Sequence, residues 1–207
     1  MEKQNNIVNI GRQLGSGGHI VAKMLAEKFG FQFYDREILN IAAKESGFDE
    51  KFFEQNDEHK GFLKALLQPQ LPHISGSGFY TNKFSQDSLF QFQSDAIRKA
   101  ANQDSCVFVG RCADYVLRDF ANVINVFVTA PLEARIKRVS ERRNCSNEEA
   151  KKFIVSKESE RAAYYNFYTG KQWGNASSYD ICINTDGIGM EETTEILAQY
   201  IHRRLKL

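Results

Sequence analysis

Five short apolar runs recur along the chain, each bounded by polar or turn-forming residues. They lie at residues 7–10, 31–34, 106–109, 123–129 and 181–184. Short runs rich in β-branched and aromatic residues predict strands that are buried on both faces. Because helical patterns separate these runs, the alternation predicts an α/β fold with a parallel sheet covered by helices on both sides.

The helical segments carry start and stop signals of their own. Residues 18–29 have apolar positions at helical spacing. Pro131 predicts the first turn of a further helix. Ser146, followed three residues later by Glu149, predicts a capping box at the start of the next one. Residues 190–205 predict a last helix with one apolar side.

One region departs from this alternation. Residues 62–88 contain Pro69, Pro72, Gly76 and Gly78 among many Ser, Gln and Asn residues. The composition predicts an insertion at about residues 50–90, which is either a substrate-binding element or a surface excursion. With 207 residues and no internal repeat, the chain is expected to form one domain spanning residues 1–207.

The composition excludes several classes of protein. A formal net charge of +1 gives no reason to predict a nucleic-acid or membrane partner. No apolar stretch approaches about 18 residues, so no membrane span is expected, and the start of the chain lacks the apolar region of a signal peptide. The histidines and cysteines have no metal-ligand spacing. We therefore expect a cytoplasmic protein without a protein-held metal; its oligomeric state is left open.

The strongest chemical signal is the glycine-rich segment between the first strand and the first helix. The candidate nucleotide-binding residues are Gly15, Ser16, Gly17, Gly18 and His19. Backbone amides in such a turn, together with a helix N-terminus, bind phosphate. Against the pattern G-x-x-x-x-G-K-[ST], Gly17 matches the second glycine. Arg12 stands at the first glycine, Gly18 at the lysine and His19 at the hydroxyl residue.

A second interpretation of the same glycines is a dinucleotide-binding fingerprint, G-x-G-x-x-G, in an oxidoreductase. Gly15 and Gly17 fit it, and Asp35 lies about 20 residues further on, where an acidic residue would bind ribose. Ile20 occupies the third glycine position, which that motif needs for close helix–strand packing.

The arginines favour phosphoryl transfer over hydride transfer. They gather at strand ends and in the second half of the chain: Arg12, Arg36, Arg111, Arg135, Arg138, Arg142, Arg143 and Arg161. Guanidinium groups bind phosphate oxygens in pairs, and phosphoryl transfer depends on cations around the moving group.

These segments together resemble the cytidylate kinase-like family of P-loop proteins, related to bacterial cytidylate kinases. The resemblance covers nearly the whole chain. It rests on residues 11–18, 33–37, 109–111, 128–131, 160–162, 164–165, 168–171, 173–174, 179–180 and 184–185.

The resemblance implies a three-layer α/β/α nucleoside monophosphate kinase fold with a central five-stranded parallel sheet, a substrate-binding insert and a helical lid at about residues 135–178. It implies transfer of the γ-phosphoryl group of ATP, with Mg²⁺, to a nucleotide acceptor of the CMP type. Small-molecule nucleotides are therefore the expected partners. The acceptor-binding residues would be Asp35, Arg36 and Arg111, and the catalytic arginines of the lid side would be Arg135, Arg138 and Arg161.

The chain departs from true cytidylate kinases at Gly18, where they have the phosphate-binding lysine. Our hypothesis is that Arg12, at the start of the loop, supplies the missing charge and acts as a further catalytic residue. The alternative is a nucleotide-binding regulatory protein with little or no turnover.

Overall fold

The structure is a computed structural model that describes residues 5–35 and 78–207, with side chains described from residue 87 in the second range. Its five strands are β1 (Ile7–Arg12), β2 (Gln32–Tyr34), β3 (Cys106–Val109), β4 (Val123–Thr129) and β5 (Ile181–Asn184). They form one all-parallel sheet in the order β2-β3-β1-β4-β5. The predicted α/β fold with a five-stranded parallel sheet is confirmed.

The strand order decides between the two interpretations of the glycines. β1 lies between β3 and β4, so that Ile7 pairs with both Cys106 and Val123, while β2 is at the sheet edge beyond β3. In the dinucleotide-binding fold the first strand lies directly beside the second. The prediction of a dinucleotide-binding oxidoreductase is therefore wrong, because β3 separates the loop strand from the strand that leads to Asp35.

The described helices are α1 (Gly18–Phe29), α2 (Gly78–Gln103), α3 (Ala113–Val116), α4 (Leu132–Arg143), α5 (Asn147–Thr169) and α6 (Gly189–Leu205), with a 3₁₀ turn at Ala176–Ser178. α1 and α6 cover one face of the sheet, where Leu25 and Leu197 pack against Val8 and Val126. α2 and α3 cover the other face around Phe108. Burying each such side chain contributes about 1.5–3 kcal/mol.

The capping box predicted at the start of α5 is present. Ser146 Oγ accepts a hydrogen bond from the Glu149 amide, and the Glu149 carboxylate accepts one from the Ser146 amide. These bonds to the charged form lower the pKa of Glu149. Pro131 immediately precedes α4, so its fixed φ angle marks the helix start as expected.

The predicted insert requires a correction where it is described. The part from Gly78 onward is not an irregular excursion, because it forms the beginning of α2, which continues to Gln103. The remainder, residues 50–77, lies outside the described residues. Within the described ranges, no helix has the length and apolar character needed to cross a membrane.

Candidate active site

The glycine-rich loop, residues 11–19, lies at the carboxyl end of β1 in the middle of the sheet. Gly15 and Gly17 have φ angles of 82° and 83°, a left-handed conformation that residues with a Cβ atom rarely adopt. Gly17 directly precedes α1 and offers no side-chain cap, so the positive end of the helix dipole faces the loop. The predicted strand, turn and helix are present; phosphate binding by Gly15, Ser16, Gly17, Gly18 and His19 stays a prediction.

Gln13 fixes the loop to the neighbouring strand β4. Its amide donates to the Val128 carbonyl oxygen (3.0 Å), and its side-chain Oε1 accepts from the Thr129 hydroxyl. Within the loop, Ser16 Oγ donates to the Gln13 carbonyl oxygen (2.9 Å) and accepts from the Gly18 amide (3.3 Å). The loop backbone is therefore held from β4 and from within.

Two arginines of α4 hold the loop from behind; we call Arg135 and Arg138 the outer arginines. Arg135 is 6% exposed and donates from Nε to the Ala130 carbonyl oxygen (2.9 Å). Its Nη1 bonds Glu158 Oε1 of α5 (2.7 Å), and the same oxygen accepts from the Leu14 amide (2.9 Å). A single carboxylate oxygen thus joins α4, α5 and the loop.

The second outer arginine, Arg138, bonds loop oxygens and a threonine after β5. Its Nη1 donates to the Gly15 carbonyl oxygen (3.3 Å) and to Thr185 Oγ1 (3.0 Å). The Thr185 hydroxyl, in turn, donates to the Ser16 carbonyl oxygen (2.7 Å). Both outer arginines therefore donate hydrogen bonds to protein oxygens that shape the loop. Their catalytic role stays a prediction.

Three other arginines lie close to one another beside the loop; we call Arg12, Arg111 and Arg161 the inner arginines. Arg161 Nη1 of α5 donates to the Arg12 carbonyl oxygen (3.4 Å). The Arg12 side chain passes across Gly110, the residue before Arg111, so closely that a Cβ atom there would collide with Arg12 Nη1. The inner arginines bring three positive charges to the carboxyl ends of β1 and β3.

The environment of Arg161 disfavours its positive charge. Burial lowers the pKa of its guanidinium, and the nearby charges of Arg111 and Arg142 lower it further, whereas Glu158 raises it. Within the part of the chain that the structure describes, neither Arg111 nor Arg161 forms a carboxylate ion pair. An anion between these arginines would relieve the repulsion.

The turn after β3 positions Arg111. Gly110, Arg111 and Cys112 have consecutive φ angles of 76°, 56° and 56°, and for the two residues with side chains this conformation costs energy. The Arg111 guanidinium lies 5.7 Å from the centroid of the Tyr164 ring of α5. Burial raises the pKa of the Tyr164 hydroxyl, with Arg111 opposing the shift, so Tyr164 stays a neutral partner.

His19 and Asp35 meet beside the loop. His19 Nε2 is 3.1 Å from Asp35 Oδ2, and the His19 ring contacts the edge of Phe33. Mg²⁺ prefers oxygen ligands and usually keeps several waters while binding substrate phosphates. The imidazole of His19 does not replace the hydroxyl ligand of the usual loop, so the described residues fit Mg²⁺ that arrives with a nucleotide rather than a protein-held ion. Arg36, predicted to bind the acceptor, lies outside the described residues.

Several residues at this site were missed by sequence reasoning. They are Gln13, Glu158, Thr185 and the pair formed by Asp114 of α3 and Tyr165 of α5, whose hydroxyl donates to Asp114 Oδ2 (2.6 Å). Burial raises the pKa of Asp114, while the Tyr165 bond and Lys171 oppose the shift. Glu158 and Arg161 are three residues apart on one helix, a spacing that could have identified them as neighbours.

Comparison with known proteins gives the family. Residues 7–187 match the cytidylate kinase-like family. The cytidylate kinase of Desulfurococcus amylolyticus is 32% identical over 196 residues, which cover 93% of this chain and 90% of that protein.

Solved structures agree with this result. An uncharacterised protein from Eubacterium ventriosum is 31% identical and superposes with a TM-score of 0.72 over 95% of this chain and 98% of its own. Shikimate kinase from Bacteroides thetaiotaomicron, 14% identical, superposes with a TM-score of 0.51 over 98% of this chain and 99% of its own, and shows the same fold. The fold is that of the P-loop nucleoside monophosphate kinases, and the chain belongs to the cytidylate kinase-like family.

Proposed function

We propose that this chain transfers the γ-phosphoryl group of ATP to a nucleoside monophosphate of the CMP type. The family supports the coarser statement, that the chain is an ATP-dependent nucleotide kinase. The observation that supports phosphoryl transfer is the convergence of the inner arginines beside the glycine-rich loop, because guanidinium groups bind phosphate oxygens in pairs. The CMP-type acceptor is proposed from the similarity to cytidylate kinases.

The loop and the start of α1 would bind the donor phosphates through backbone amides, as helix N-termini do. Arg111, together with Arg36 and Asp35, would hold the acceptor. Arg161 and Arg12 would stabilise the charge on the transferred group, which spreads over its oxygens in the transition state. ATP would enter as its Mg²⁺ complex, and the ion would neutralise part of the phosphate charge.

The outer arginines have a different part in this proposal. Arg135 and Arg138 bond the carbonyl oxygens of Leu14 and Gly15, the former at 3.4 Å. Through these bonds they would hold the loop amides in the orientation that phosphate requires. They would act as positioning residues, whereas the inner arginines would touch the substrate.

The test is a phosphoryl-transfer assay with MgATP and four acceptors: CMP, dCMP, UMP and AMP. We expect ADP to form, with CMP or dCMP as the preferred acceptor. ADP formation should stop when EDTA removes Mg²⁺. Faster transfer to AMP or UMP would contradict the acceptor assignment while leaving the kinase assignment intact.

One observation favours a second candidate function. Gly18 replaces the lysine that contacts the β- and γ-phosphates in the usual loop, and this loss favours a regulatory protein that binds nucleotides with little or no turnover. Calorimetric binding of MgATP alongside the assay distinguishes the two: binding without ADP formation for any acceptor would support the regulatory function.

A further inference from the structure

The side chain of Arg12 occupies space that a lysine at position 18 would need. A Cβ atom built on Gly18 would lie 2.6 Å from Arg12 Cβ and 3.0 Å from Val128 Cβ. Separations below 3.0 Å essentially never occur between real Cβ atoms and their neighbours. Arg12 and a side chain at position 18 therefore exclude each other in this loop.

The Arg12 side chain continues past Gly18 toward the end of β3. A Cβ atom at Gly18 would also lie 3.2 Å from Arg12 Cγ, and one at Gly110 would collide with Arg12 Nη1. The contact at Gly18 is with Arg12 Cβ, whose position the backbone fixes, whereas the contact at Gly110 is with the flexible end of the same side chain and shows how far the guanidinium reaches. The pattern G-x-x-x-x-G-K has glycine at position 12 and lysine at position 18, whereas this chain has Arg12 and Gly18. Because side chains at the two positions would collide, these two differences from the pattern are coupled.

We propose that Arg12 is the phosphate-binding cation of this loop and that Gly18 is glycine because Arg12 fills the space of the missing lysine. This inference rests on the proposed nucleotide site and assigns its cation. The charge comes from the end of β1 and extends toward Gly110 and Arg111, rather than from the first turn of α1. The charge of Arg12 therefore lies between the donor loop and the predicted acceptor arginine. A guanidinium there can bind two phosphate oxygens through its planar fork, which the ammonium group of a lysine cannot do.

The experiment is a double-mutant cycle with four proteins: the unaltered chain, Arg12→Gly, Gly18→Lys, and the double variant that recreates the usual pattern. The Kd of MgATP is measured by calorimetry and the melting temperature by circular dichroism. We expect each single variant to weaken binding about ten- to a hundred-fold, the value of a lost hydrogen bond to a charged group. Gly18→Lys should also melt at a lower temperature because of the collision with Arg12. The double variant should regain most of the affinity and the melting temperature.

A second pair of variants keeps the stem of Arg12 and alters only its charge. Arg12→Met fills the same space without a cation, and Arg12→Lys keeps a cation on a similar stem. We expect Arg12→Met to lose the same ten- to a hundred-fold in affinity, with partial recovery in Arg12→Lys.

Two results would overturn the inference: unchanged MgATP affinity in Arg12→Met, or a double variant that binds no better than the weaker single variant. Failure of the proposed function is a separate outcome, because then the unaltered chain itself would bind no MgATP.

Discussion

The outer and inner arginines lie around one loop and differ in what they bond. Arg135 and Arg138 donate to carbonyl oxygens, to Glu158 and to Thr185. The inner arginines lie instead against a glycine, an aromatic ring and one another's backbone. The first set bonds the loop and α5 through protein oxygens, whereas in the second set burial and the neighbouring charge of Arg111 disfavour the charge of Arg161.

Because of this difference, we expect one set of arginines to contribute to stability and the other to function. A buried charge whose partners are protein groups costs several kcal/mol when one partner is removed, because the other is left uncompensated. Burial already disfavours the charge of Arg161, so we expect its removal to spare the fold and to affect the ligand. We therefore expect outer-arginine variants to lose stability and inner-arginine variants to lose phosphoryl transfer.

Arg135→Ala should have the largest effect. Its side chain and that of Glu158 are 7% and 18% exposed, so the variant leaves a largely buried carboxylate without its cation. We expect the free energy of unfolding to fall by about 3–5 kcal/mol and the melting temperature by roughly 6–20 °C at about 2–4 °C per kcal/mol.

Two variants check the origin of that loss. Lys137→Ala, on the exposed side of the same helix, should change the free energy of unfolding by no more than about 0.5 kcal/mol. The double variant Arg135→Ala with Glu158→Ala should lose less than the sum of the two single losses, because the partners are coupled. Full additivity would show that the ion pair does not hold α5 to the loop.

Arg161→Ala should give the second largest effect, and on activity rather than stability. We expect phosphoryl transfer to fall by about 10²–10³-fold, the cost of removing one group that stabilises transition-state charge. The melting temperature should stay the same or rise, because the burial that lowers the pKa of Arg161 no longer acts on a charge. Lys151→Ala, exposed on the same helix, is the matched control and should match the unaltered chain in both measurements. A drop in melting temperature as large as that of Arg135→Ala would place Arg161 with the outer arginines.

The fold could be predicted from sequence because its inner strands β1, β3 and β4 are largely buried. Continuous apolar runs such as Cys106–Val109 have no polar interruption, so their positions and type can be recognised. α2 could not be recognised, because Gln93 and Ser94 interrupt its apolar side although they are 1% and 2% exposed. In a sequence, buried polar residues of this kind cannot be distinguished from exposed polar residues.

The site was predictable only where it follows a strand. Gly15 and Arg111 lie in the loops that follow β1 and β3, so strand ends alone bring them to one edge. The bond between Arg135 and Glu158 joins two different helices. The spacing of these two residues along the chain therefore does not indicate that they are neighbours. Arg135 and Arg142 are separated by a spacing typical of one helix face, yet Arg135 is buried and Arg142 is exposed.

Arg138→Ala should have a smaller effect that tests whether the outer arginines position the loop. It removes bonds to Gly15 and Thr185 from a side chain that is 29% exposed, so we expect a loss of about 1–2 kcal/mol in the free energy of unfolding. The KM for MgATP should rise several-fold while kcat changes little. Thr185→Val removes the partner hydroxyl and should reproduce the rise in KM. A fall in kcat with an unchanged KM would instead indicate that Arg138 contacts the transferred group.

Asp114→Asn should have the smallest effect, and it compares the two attachments of α5. Near the loop, α5 is held by the charged pair of Glu158 and Arg135; further along, Tyr165 bonds Asp114. Burial raises the pKa of Asp114 in the folded chain, so the folded state binds more protons than the unfolded state and stability falls as pH rises from the unfolded pKa of about 3.9. Asn has no charge and can still accept from Tyr165. We therefore expect the variant to lose this part of the pH dependence, measured as melting temperature between about pH 4 and 7, and to be more stable than the unaltered chain at the upper end. A variant that keeps the full pH dependence of the unaltered chain would show that Asp114 does not cause it, whereas an equal fall in melting temperature at every pH would show that the Asn amide disturbs the Tyr165 bond.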